Sequence, residues 1–372
     1  MHCKLADIAI VTMGQSPKSE YYNVSGEGIP FLQGNRTFGR KYPTFDTYTT
    51  IAPRVAECGD VIMSVRAPVG ELNITPSKVC LGRGVCSLRM KNGNQEFLYY
   101  LMKYYVSRLL EKESGTVFGS VNRNDIEGLD IDIPENAETQ NKITELLSIL
   151  DRKIELNTEI NHNLHHQAKC IFDYYYKSAS EQLRFTELIH VLGGGTPKTG
   201  NADYWNGDIP FFTPKDVGSP YAFQTEKYIT KQGLEHCNSR LYPKNTSFVT
   251  ARGTVGKVSL AGKPMSMNQS CYALVSDVID PILVYFYTLK TVAALRHKAT
   301  GAVFDAIITR DFDAEFISVL ADENSRIVLS LVAPMMDTIH TNFEENLHLT
   351  SLRDSLLPKL MSGEIDMTDL DR

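Results

Sequence analysis

The stretch ITELLSILDRKIELNTEINHNLHHQAKCIFDYY, residues 143–175, decides how this chain folds. Stepping alternately by four and three positions picks out Ile143, Leu147, Leu150, Ile154, Asn157, Asn161, Leu164, Ala168, Ile171 and Tyr175, a heptad seam. Residues 328–360 carry the same rhythm through Val328, Val332, Met335, Ile339, Asn342, Asn346, Leu349, Arg353, Leu356 and Leu360. One such seam alone describes an ordinary amphipathic helix facing a core. Two seams with paired asparagines at the same interval point to two helices packed on each other, because a slipped partner would leave a buried amide unpaired. The residues expected to pair the helices are Leu150, Ile154, Asn157, Asn161 and Leu164 with Met335, Ile339, Asn342, Asn346 and Leu349.

Outward from the seams, the halves of the chain repeat. Gly14-Gln-Ser-Pro-Lys and Gly28-Ile-Pro-Phe return as Gly194-Gly-Thr-Pro-Lys and Asp208-Ile-Pro-Phe at one constant offset. The run from Gly59 to Gly70 is answered by Asn245 to Gly256, which matches Arg66 with Arg252. Ser114-Gly-Thr-Val-Phe with Asp125 is answered by Thr300-Gly-Ala-Val-Phe with Asp311, and each half then runs into its seam. Short Val/Ile/Phe-rich runs bounded by Gly, Pro, Asn and Asp predict strands, and one helix stands out in each half, near 96–110 and 281–295. The expected fold is α+β: two similar mixed α/β domains separated by two long antiparallel coiled-coil helices, with pseudo-two-fold symmetry. The predicted boundaries are a first domain over 1–136, a spacer helix over 137–180, a second domain over 181–321, a second spacer helix over 322–362 and a tail over 363–372. Helices of this length would make a rod roughly 50 Å long with a domain at either end.

At 372 residues and 42% hydrophobic content the chain supports two cores. Its start lacks an apolar run of signal-peptide length and no stretch approaches a membrane span, so a cytoplasmic location is expected. Seven cysteines with no Cys-x-x-Cys pair argue for reduced thiols rather than a disulfide framework or a zinc knuckle. The net charge of −6 is unevenly spread. Cations exceed acids by about five between Pro30 and Gln95 and by about four between Lys198 and Val275, whereas the C-terminal stretch from Asp311 is strongly acidic. Basic domains suit phosphate contact, and acidic helices suit a protein partner.

Patterns of catalysis are missing. Gly193-Gly-Gly-Thr-Pro-Lys-Thr looks like a phosphate loop, but Pro197 supplies no N–H where a cradle needs one. Leu81-Gly-Arg-Gly lacks the third glycine of a dinucleotide fingerprint, and neither a Gly-x-Ser-x-Gly elbow nor a His-Glu-x-x-His motif occurs. His162, His165 and His166 share a helical face with metal-ligand spacing but have no placed acidic or cysteine partner, and a solvated cluster explains them. No metal site, no cofactor and no catalytic residue is therefore expected in this chain.

Residues suited to recognition lie in loops. Gln33-Gly-Asn-Arg-Thr-Phe-Gly-Arg-Lys offers amides and guanidinium groups, which hydrogen-bond bidentately to adenine and guanine edges. The matched loop Thr213-Pro-Lys-Asp-Val has different chemistry. The candidate DNA contacts are Gln33, Asn35, Arg36, Arg40, Lys41, Arg66, Arg83 and Arg123 in the first half, and Lys215, Asp216, Arg252, Lys257, Asn268 and Gln269 in the second. A role for Arg66 and Arg252 in bracing a strand turn stands beside the DNA-contact reading.

These residues resemble a known family, the specificity subunits of type I restriction-modification systems. The likeness covers nearly the whole chain. It rests on Leu352-Arg-Asp-Ser-Leu-Leu-Pro-Lys-Leu-Met-Ser-Gly-Glu-Ile above all, then on Leu5-Ala-Asp-Ile-Ala with Gly14-Gln-Ser-Pro, on Gly59-Asp-Val-Ile-Met-Ser-Val-Arg and on Gly193-Gly-Gly-Thr-Pro. The resemblance implies a non-catalytic subunit with two target recognition domains, each reading half of an interrupted DNA sequence. It further implies helices that set the gap and dock modification (methyltransferase) subunits using S-adenosylmethionine, with restriction subunits adding ATP- and Mg-dependent cleavage. A coiled-coil adaptor that binds no DNA is the alternative.

Overall fold

The computed structural model describes residues 1–111, 119–218, 220–298, 306–365 and 367. The repeated motifs at Ser114 and Thr300 thus lie outside the described residues. Among the described residues four helices are long: α1 (Gln95–Glu111), α2 (Ala137–Ser178), α3 (Pro281–Lys298) and α4 (Asp322–Met361). Helix α2 contains neither glycine nor proline, so nothing in its backbone interrupts the i to i−4 ladder. Helix α4 opens on Asp322 and Glu323, acids at the positive end of the helix dipole, and Gly363 at φ +76° turns the chain out after it. The chain forms two compact units, Met1–Arg152 with Leu349–Arg372 and Lys153–His348.

In the first unit an antiparallel sheet places strands in the order Ala9–Met13, Val85–Met90, Val61–Ser64, Leu72–Ile74. A second sheet pairs Ile29–Leu32 in parallel with Val79–Leu81, Phe31 lying opposite Cys80. Helix α1 buries Phe97, Tyr100, Leu101 and Leu109 against the first sheet, so its aromatics are core. The same core takes in Ile143 and Leu147 from α2 and Leu357, Leu360 and Met361 from α4. Beside them Asp151 is buried, its Oδ1 accepting from Arg353 Nη1 at 2.6 Å and its Oδ2 accepting from the Tyr100 hydroxyl at 2.7 Å. Burial alone would raise the Asp151 pKa, but the hydrogen bonds from Tyr100 and Arg353 outweigh it and hold the carboxyl below its ordinary value.

The second unit repeats the arrangement. Its main sheet runs His190–Gly193, Cys271–Val275, Ser247–Thr250, Val258–Ala261, Tyr221–Ala222, and Trp205–Phe212 pairs in parallel with Ser266–Met267. Asn245, at φ +68°, stands where the first unit has Gly59 at φ +88°. Asparagine tolerates the left-handed conformation better than most side chains, so the same turn survives the substitution. Between α2 and α4 in this unit, Asn157 donates to Asn346 Oδ1 at 3.0 Å and to Glu345 at 2.7 Å, and Asn342 donates to Asn161 at 2.8 Å. Rising numbers on one helix meet falling numbers on the other, so the helices run antiparallel there.

A strict heptad misplaces some seam positions. Ile154 and Ile339 are buried, but Met336 rather than Met335 is fully inside, and Leu150, Leu164 and Leu349 are half-buried. A helix of 3.6 residues per turn drifts by about 20° per heptad, which moves the inward position by one residue over this length. Next to Leu150 the buried place belongs to Asp151.

Candidate nucleic-acid interface

In both units three loops converge at the end of the parallel strand pair. Gly82 donates its N–H to Leu32 O at 2.7 Å, and at the matching place Asn268 donates to Phe212 O at 3.0 Å. These bonds join the loop after the central strand (33–37 or 213–217) to a tight turn (82–84 or 268–270). The turn is then tied to the arginine hairpin: Val65 N–H donates to Gly84 O at 2.9 Å, and Ala251 N–H donates to Ser270 O at 2.8 Å. Arg66 and Arg252 each follow and make the same isolated bridge, to Ser120 and to Ala306. The repeated glycine motif has its cause here, because a Cβ on Gly14 would overlap the carbonyl oxygen of Gly82, and one on Gly194 would overlap that of Asn268. Ser16 accepts the Arg83 N–H at 3.2 Å, and Thr196 donates to the Gln269 side chain.

The side chains on this shared scaffold differ. The first unit has a polar notch of about 280 Å³ lined by Gln33, Asn35, Arg36, Asp46 and Thr47. Both terminal nitrogens of the Arg36 guanidinium bind Asp46, at 2.8 and 2.9 Å, and Asn35 donates to Glu71 at 2.7 Å. The second unit has a cleft of about 350 Å³ lined by Thr213, Lys215, Glu226, Lys227, Arg252 and Asn268, with Lys215 3.3 Å from Glu226. Gln33, Arg66, Arg83, Arg252, Lys257 and Gln269 are exposed. Among the described residues, the side chains of Arg66, Arg252 and Lys257 have no acidic partner.

Several nominated residues are placed elsewhere. Lys41 is 4% exposed and bonded to Glu96 at 3.2 Å among the rings of Tyr99 and Tyr100, so it is a core cation and not a surface contact. Asp216 accepts from Thr213 N and Oγ1 at 2.8 and 2.6 Å and from Glu226 N at 2.7 Å, which makes it a structural cap with its acceptor capacity in use. Arg40 turns toward α4, donating to Thr350 at 3.1 Å, rather than into the notch. Arg123 pairs with Glu127 on its own helical turn, and Asn268 is half-buried with its Oδ1 bound to Ser270 N. The carboxylates of Asp46, Glu71 and Glu226 went unrecognised in the sequence, where they count only as charges opposing the basic excess.

The histidines are not a single solvated cluster. His162 and His166 are exposed, but His165 is half-buried with Nε2 2.9 Å from the Tyr285 hydroxyl of α3. Burial, with Lys169 nearby, pushes its pKa down to about 4. The unfolded chain therefore binds the His165 proton first as pH falls from about 6.5, and stability drops across the window down to about 4. Urea unfolding of the second unit at pH 7 and pH 4.5 is expected to show a smaller acid loss in His165→Gln than in the wild type, by about 2 kcal/mol. Equal losses would refute the assignment. Among the described residues no group of three or more His, Cys, Asp or Glu is arranged to hold a metal, and no helix is long and apolar enough to cross a membrane.

The family model for the type I restriction modification DNA specificity domain matches this chain twice, over residues 1–166 and 178–319. A Methanocaldococcus jannaschii protein named as the specificity subunit of the type I restriction enzyme MjaX is 38% identical over 148 residues, covering 39% of this chain and 35% of that protein. The MjaIX specificity subunit of the same organism is 27% identical over 169 residues, 44% of this chain and 39% of its own length, so the matches span little more than a third of these two relatives. The HindI specificity subunit of Haemophilus influenzae is 23% identical over 356 residues, 73% of this chain and 77% of that one. The crystal structure of a type I restriction-modification S subunit from M. genitalium shares the fold with a TM-score of 0.59 at 15% identity, covering 97% of this chain and 96% of that one.

Proposed function

We propose a division of labour on the premise that this chain belongs to the type I restriction modification DNA specificity family, as a non-catalytic specificity subunit. Each unit reads one half of an interrupted double-stranded DNA target through its three-loop cluster. The helices α2 and α4 set the gap between half-sites and dock the modification subunits. S-adenosylmethionine is then held by the modification subunit, and ATP and Mg by the restriction subunit, with this chain supplying recognition.

One observation carries the reading. The same backbone cluster occurs in both units, with Arg66 and Arg252 at matching places, yet it presents Gln33, Asn35 and Arg36 in one and Thr213 and Lys215 in the other. A repeated scaffold with unlike donors suits two different half-sites, since base identity is read by donor and acceptor pattern. Mapping methylated adenines in cells that hold the modification subunit, with and without this chain, tests it. Methylation at one interrupted sequence only when the chain is present is the expected result. Methyl transfer by the chain alone, or no dependence on the chain, would overturn it.

A further inference from the structure

Arg36 in the first unit meets Asp46 through both carboxylate oxygens, whereas Lys215 in the matched loop of the second unit meets Glu226 through one contact at 3.3 Å. Asp46 Oδ1 and Oδ2 bind Nη2 and Nη1 of Arg36, gripping the guanidinium by its end. A guanidinium carries five N–H donors in a fixed plane, so an end-on carboxylate leaves the side formed by Nε and the second Nη2 hydrogen as a parallel donor pair. Thr47 donates to Asp46 Oδ1 at 3.0 Å and fixes the carboxylate in turn. The hydrogen bond from Arg36 holds the Asp46 carboxyl below its usual range, which keeps it charged at neutral pH. The notch is thereby not cationic, since the Asp46 charge offsets Arg36 and the further negative charge of Glu71 sits on the uncharged Asn35 amide. A notch without excess positive charge attracts phosphate weakly, whereas a directional donor pair matches the O6 and N7 acceptors of guanine.

Resting on the DNA-reading function above, we propose that Asp46 is a positioning residue that presents the free edge of Arg36 to a guanine in the half-site read by the first unit. The test uses the full chain in complex with its modification subunit. Its binding is measured to the target duplex and to duplexes in which each guanine of each half-site is replaced in turn. In the wild type one guanine replacement is expected to weaken binding about tenfold or more, and that penalty should vanish in Arg36→Ala. In Asp46→Asn and Asp46→Ala the penalty at the same guanine shrinks. Affinity for random duplex holds or rises, with a steeper salt dependence, as the released cation reaches phosphates. Undiminished discrimination in both Asp46 variants, an equal loss on every sequence, or no guanine whose penalty Arg36→Ala removes would each overturn the proposal while leaving the function intact. A wild-type complex that fails to distinguish any target from random duplex would overturn the function itself, and this proposal with it.

Discussion

Arg353→Met is expected to destabilise the first unit by about 3–5 kcal/mol, the cost of leaving a buried carboxylate without its hydrogen-bonded cation. Asp151 is 4% exposed and Arg353 7%; Arg353 meets the carboxylate at 2.6 Å, the Tyr100 hydroxyl donates to it at 2.7 Å, and Arg40 Nη2 stands farther off at 4.0 Å. Methionine fills a similar volume, so the loss reports the charge rather than a cavity. Hydrogen exchange of the 143–152 amides in a urea series measures it for this unit alone. Arg353→Met combined with Asp151→Leu should recover much of the loss, because removing both charges also removes their desolvation cost. The Asp151 carboxyl is held below its ordinary value, so its contribution is present at neutral pH and fades as acid protonates it below about 4. An exchange profile unchanged in Arg353→Met would show that the pair contributes nothing.

The second large effect concerns Arg252 and Lys257, exposed cations without an acidic partner among the described residues. Replacing both by alanine should reduce the slope of log affinity against log salt by about two if each neutralises one phosphate. The loss should be about tenfold to a hundredfold at physiological salt and nearly the same for every sequence. That pattern differs from the one expected at Arg36, where a single base position responds. Salt-titrated binding of the complex to target and random duplexes distinguishes them, and a loss confined to one half-site base would reassign Arg252 to base reading.

The repeat and the seams could be read from the chain because each leaves a periodic or duplicated trace, whereas the convergence of the loops rests on backbone bonds that only the fold shows. The seam asparagines recur at equal spacing, and Gly14 and Gly194 mark places where a Cβ would overlap a neighbouring carbonyl. What stayed hidden depends on the surroundings of single residues. Lys41 and Arg40 are adjacent in a basic run, yet one is sealed among tyrosines and the other reaches Thr350. Asp216 looks like a recognition acid until its three donors are seen, and Asp46 looks like a counter-charge until its grip on Arg36 is seen. Many strands run only two to four residues, too short for an alternation to declare itself.

The division of the molecule also sets an order of assembly. Residues 153–348 form one uninterrupted unit, but the other is built from 1–152 together with 349 onward. The apolar faces of Ile143 and Leu147 therefore emerge from the ribosome long before Leu357, Leu360 and Met361 exist to cover them. Residues 1–152 are made before the second unit, yet the second is the one that can mature while translation continues. A chain stopped near residue 348 would present a finished second unit beside a first one with an open core, the kind of exposed apolar surface that chaperones hold.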